Sequence, residues 1–122
     1  MKTALEIVEG MIELFDSPEK WVRDDFAYNA KGYTVTPTSP TAICWCLQGA
    51  ADRIAGELIF SDDDFATERW DLRQEIKDAF EAELKPQGYV GMVHFNDDEN
   101  VRFEDIVRVC ERVVERLREK AA

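Results

Sequence analysis

The 122-residue chain has one histidine and three cysteines, and both scarcities exclude chemistry. A structural zinc site needs four nitrogen or sulfur ligands. His94 with the thiols reaches only three, because Cys44 and Cys46 would point about 200° apart on a helix. An odd number of cysteines, behind an N-terminus broken by Glu6 and Glu9, fits neither a disulfide framework nor a secretion signal. Free thiols and a cytoplasmic location are expected. No apolar run approaches about 18 residues, so no membrane span is expected. Basic residues are scarce as well: 15 Lys plus Arg stand against 26 Asp plus Glu, a net charge of −11. A chain this acidic is repelled by phosphate backbones, and no nucleic-acid partner is expected. A Gly-x-Ser-x-Gly elbow, a phosphate loop and a dinucleotide fingerprint are all missing. The Asp97 and Asp98 frames place Arg102 or Phe103 where an EF-hand loop needs glycine. No metal and no cofactor are expected.

What is present is a globular composition, 45 % apolar and 34 % charged, and residues 1–122 read as a single domain. Residues 3–15 read as an amphipathic helix. Thr3 with Glu6 matches a capping box, and Leu5, Val8, Ile12 and Phe15 form a stripe widened by Ile7, Met11 and Leu14. Gly10 would let another element come close. Residues 21–36 are rich in strand formers around an Asn29-Ala30-Lys31-Gly32 turn, which predicts a β-hairpin. A second helix is expected over 40–55, capped by Ser39 and stopped by Gly56, with Gly49-Ala50-Ala51 as a small-residue surface. A third helix is expected over about 64–84, with Trp70 beside its buried stripe. Residues 89–95 are apolar and partly β-branched, a short strand or a buried loop. The last helix is expected over 103–119, striped by Phe103, Ile106, Cys110, Val113 and Leu117. The fold class is therefore α+β, mainly α: about four helices, one β-hairpin and room for a third short strand.

The hairpin bearing Trp21 and Gly32 leads into Ala42-Ile43-Cys44-Trp45-Cys46-Leu47-Gln48-Gly49-Ala50, and Phe95-Asn96-Asp97 precedes the last helix. This pattern resembles a family of small bacterial and phage proteins of unknown function. Its members share Ala, then Trp-Cys-Leu-x-Gly-Ala, and an Asn-Asp element before the closing helix. Val101-Arg102 stand where that pattern has Thr or Ser, which leaves Asn100 as the alternative cap. The resemblance implies a helix-rich cytoplasmic domain and carries no activity.

His94-Phe95-Asn96-Asp97-Asp98 is the best candidate for chemistry. A histidine beside carboxylates can act as a general base or a ligand. On a strand His94 and Asn96 would share a face. The structural alternative is that Asn96 and Asp97 shape a turn through local side-chain to backbone bonds. Cys44 and Cys46 lie near a helix start, which favours thiolate, but the expected role of the cysteines is that of buried small hydrophobes. Arg108, Arg112 and Arg116 recur every four residues, offset by Asp105, Glu111, Glu115 and Glu119.

The favoured expectation is a small non-enzymatic module that binds a protein, itself included as a homo-oligomer. The alternative is a small-molecule binder or unusual enzyme with a pocket near Trp21, Trp45, Cys46, His94, Asn96 and Asp97. An acidic mimic of nucleic acid is a third option.

Overall fold

Five α-helices and a two-stranded antiparallel sheet form the α+β, mainly α fold of a computed structural model that describes residues 2–61 and 69–121. Helix α1 spans Ala4–Leu14. Its capping box is complete: Thr3 Oγ1 accepts from Glu6 N at 3.1 Å, and Glu6 Oε1 accepts from Thr3 N at 3.0 Å. The buried face centres on Ile7, Val8 and Met11, one step round the helix from the expected stripe, and Leu5, Ile12 and Leu14 lie at its margins. A single 3-10 turn, Pro18–Lys20, follows.

The expected hairpin is only half right. The Asn29 turn forms, with Gly32 N donating to Asn29 O at 3.0 Å and Gly32 at φ +81°. The returning residues make only an isolated bridge, Tyr28 to Thr34. Strand β1, Ala27–Asn29, pairs instead with β2, Ala42–Trp45, in the register Ala27–Trp45 and Tyr28–Cys44. The expected second helix covers residues 42–45, and the structure makes them a strand. Their apolar run is too short for periodicity to separate a strand from a buried helix, and the pairing with β1 decides it.

Helix α2 therefore starts later, at Leu47, and runs to Ala55, with Gly56 in the left-handed region as its stop. The small-residue surface exists because two backbones nearly touch there. A Cβ on Gly49 would lie 2.0 Å from Phe26 O. Gly10 of α1 plays the same part against α2, where a Cβ would meet Ile54 Cγ2 at 2.6 Å. Buried Asp52 then folds the chain back. Its carboxylate accepts from Ile59 N at 2.9 Å, Phe60 N at 2.8 Å and Ser61 N at 3.1 Å, seating Ile59 and Phe60 in the core. Burial pushes the Asp52 pKa up against the opposing pull of these bonds.

Helix α3 spans Trp70–Leu84, and the expected start near residue 64 lies outside the described residues. A 3-10 turn at Lys85–Gln87 ends at Gly88. The segment expected as a short strand or a buried loop holds a helix, α4, Met92–Asp97, which brings the described helices to five against an expectation of four. Met92, Phe95 and Asn96 are its buried residues, and their i, i+3, i+4 spacing is that of a helix face. Helix α5, Phe103–Ala121, buries Ile106, Val109, Cys110, Val113, Val114 and Leu117. It packs on α1 and α3, α1 also packs on α2, and α4 bridges α2 and α3. None of the described helices is long and apolar enough to cross a membrane.

Candidate functional site

The segment after the first 3-10 turn is tied down on two sides. Val22 N donates to Trp45 O at 3.1 Å, which lays Trp21-Val22 along β2. Arg23 stacks over the Trp21 ring at 4.5 Å and donates to the carbonyls of Asp98 and Val101. These bonds carry the chain from β2 to the end of α4.

Asn96 is the centre of this junction and is only 2 % exposed. Its Oδ1 accepts from Trp21 Nε1 at 2.8 Å and from Leu47 N at 3.0 Å. Its Nδ2 donates to Val22 O at 3.1 Å and to Asp97 Oδ1 at 2.9 Å. Only this orientation of the amide pairs every donor with an acceptor. Leu47 N is one of the orphan donors at the start of α2, so Asn96 caps that helix from 49 positions away. Cys46 caps it locally, with Sγ accepting from Gly49 N at 3.3 Å. The local turn bonds expected of Asn96 are thus replaced by long-range ones. Asp97 Oδ1 also accepts from Asp24 N at 3.0 Å and holds Asp24 at φ +75°, in the left-handed region.

A cleft of about 160 Å³ opens beside this junction. The carboxylates of Asp24, Asp25 and Asp97 line it with Gln48, over apolar Phe26, Met92 and Val93. Three of the residues picked from the sequence meet here: Cys46, Asn96 and Asp97 all line the cleft. Trp21 is not among its lining residues and reaches it only through its bond to Asn96. Trp45 is buried elsewhere, its Nε1 donating to Pro37 O at 3.0 Å. His94 is separated from the set because residues two apart on a helix diverge by about 200°. It is exposed, its Nδ1 accepts from Val90 N at 3.0 Å, and its ring lies edge-on to Tyr89.

The chemistry of the cleft follows from its charges. Among the described residues none of the carboxylates of Asp24, Asp25 and Asp97 forms an ion pair. No group of three or more metal-ligating side chains converges among the described residues either. Burial pushes the Cys46 thiol up to about 12, which favours the protonated thiol over the thiolate at neutral pH. Cys110 is likewise pushed up to about 12, and burial raises Cys44 as well. Sequence reasoning missed Asp24, Asp25, Gln48, Met92 and Val93. The adjacent acids Asp24-Asp25 were a visible signal, but their approach to Asp97 depends on a bond between residues 73 apart.

Both sides of this junction, 21–26 and 92–97, lie inside one stretch that a family profile matches, residues 1–116. The chain belongs to DUF6197, a family of unknown function. No curated protein and no solved structure matches. The match to DUF6197 spans α1 through most of α5 and carries no activity.

Proposed function

We propose that this DUF6197 protein is a small non-enzymatic module that binds another protein, and that the cleft receives a cationic side chain of that partner. The observation that carries the reading is the set of acids Asp24, Asp25 and Asp97, which form no ion pair among the described residues, above an apolar floor. A lysine or arginine supplies the missing charge at the rim, and its aliphatic stem covers Phe26, Met92 and Val93. Size favours a side chain over a free ligand: about 160 Å³ is well below the roughly 300–1,000 Å³ of small-molecule pockets. Val93, 52 % exposed, provides apolar surface at the cleft for the rest of the partner. The overall charge of −11 steers a basic partner toward it.

The test is an amide-resonance titration with N-acetyl-arginine amide and N-acetyl-lysine amide, with N-acetyl-glutamate amide as control. Saturable shifts confined to residues 24–26, 46–48 and 92–97, given by the cations alone, support the reading. Asp97→Asn, which keeps an oxygen for Asp24 N and Asn96 Nδ2, should weaken them without loss of fold. Shifts that are absent, or equal for the glutamate amide, overturn it. Native mass spectrometry supplies the second arm. A monomer carrying extra mass that is lost on denaturation would favour a small-molecule binder instead.

A further inference from the structure

On another face of the molecule a groove of about 490 Å³ runs between α5 and the chain that connects α3 to α4. Phe95, Val101 and Val109 form its apolar floor, and all three are nearly inaccessible. Arg108, Arg112 and Arg116 stand along one wall. Four residues of helix advance about 6 Å, so the row covers about 12 Å. Their partners are fewer than they are. Arg116 Nε donates to Glu83 Oε1 at 3.1 Å, and Arg108 to Asp105 Oδ1 at 2.9 Å. Among the described residues Arg112 has only the second oxygen of Glu83, at 3.9 Å, beyond hydrogen-bonding distance, and its side chain is 57 % exposed. Among the described residues three guanidinium groups thus face two carboxylates, and most of their N–H donors make no bond. This is a locally cationic groove in a chain of net charge −11.

We infer that this groove binds a short acidic peptide segment in extended form, with carboxylates at alternate positions. Side chains two apart on an extended chain share a face and lie about 6.8 Å apart. That repeat nearly matches the arginine step, so successive carboxylates meet successive guanidiniums in the planar pairing that arginine favours. A small monoanion would engage one arginine and leave the row unused. A nucleic-acid strand carries its charge past the groove, where the net charge of −11 repels the added phosphates. An acidic peptide ends where the arginines end. This site is independent of the cleft at Asp97 and stands whether or not that reading holds.

The probe is a fluorescein-labelled, amidated peptide Glu-Ala-Glu-Ala-Glu, followed by anisotropy at low ionic strength. Glu-Glu-Glu-Ala-Ala and a short oligothymidylate serve as comparisons. Saturable binding of the alternating peptide, weakened by salt and tighter than that of the blocked one, is the expected result. Arg112→Gln, which breaks no hydrogen bond in the structure, should weaken it about fivefold, the worth of one exposed ion pair, with the melting temperature unchanged. Equal binding of the two peptides, insensitivity to Arg112→Gln, or tighter binding of the oligothymidylate overturns the inference. Failure to bind at millimolar peptide overturns it too.

Discussion

Replacing Asn96 by alanine removes the partner of Trp21 Nε1, Leu47 N and Val22 O at one stroke. Each orphaned buried group costs about 1–3 kcal/mol, so Asn96→Ala should lose about 3–5 kcal/mol in chemical denaturation. Asn96→Asp separates charge from shape: it drops the donation to Val22 O and sets a second carboxylate against Asp97. Its deficit at neutral pH should shrink as pH falls into the carboxylate range, where protonation relieves the repulsion. Asp24 offers the opposite kind of variant. Its bond to Asp97 comes from backbone N–H and its φ of +75° suits glycine, so Asp24→Gly should keep its stability and weaken cation binding in the cleft. A Tm loss with unchanged binding would place Asp24 in the scaffold alone. The thiols give a third check: Cys46 and Cys110 are buried, and Cys44 is half-buried. A disulfide reagent should titrate one thiol slowly in the native protein and three in denaturant, and two fast native thiols would contradict the packing.

At the scale of elements, α1 is secured by a capping box whose acid titrates. The Thr3 N–H donated to Glu6 holds the Glu6 carboxyl below its ordinary value of 4.5. A depressed folded pKa gives a contribution that is present above 4.5 and lost as pH falls through the lower folded value. Glu6→Gln still accepts from Thr3 N but does not titrate. The stability gap between the two proteins should therefore close below pH 4.5, and a gap constant through that window would contradict the box. Helix α2 depends on its small residues. Gly49→Ala drives a Cβ into the Phe26 carbonyl at 2.0 Å, against backbone that cannot rotate away. It should cost at least about 3 kcal/mol. Gly10→Ala meets a side-chain methyl rather than backbone, Ile54 Cγ2 at 2.6 Å, on a β-branched residue stiff at χ1, and should cost about 1–3 kcal/mol.

At the scale of the molecule the dominant property is charge of one sign. A net charge of −11 on 122 residues destabilises the compact state through self-repulsion. Added salt should raise the melting temperature, by about 4 °C for each 1 kcal/mol relieved in a domain of this size. A fall with salt would mean that the surface ion pairs outweigh the repulsion. Both proposed sites follow from how this charge is distributed. Acids gather without cations at the Asp97 cleft, and arginines outnumber acids in the α5 groove. Basic and acidic ligands should therefore compete with salt but not with each other.

The sequence by itself determined the mainly helical class, the capping box at Thr3, the stop at Gly56 and the buried stripe of α5. These are matters of local chemistry and of a helical period sustained over many residues, and both are written within a few positions of each other. It also carried the Asn96-Asp97 pair and Cys46 into one candidate site, as the cleft has them. Tertiary structure decided the rest. Ala42–Trp45 is a strand because β1 lies beside it, and Met92–Asp97 is a helix although its composition suits a strand. His94 left the candidate site with that change, since a strand and a helix send residues two apart in different directions. Asp24, Asp25 and Gln48 joined it through bonds spanning 49 to 75 positions of chain, a separation over which no periodicity in a single sequence survives.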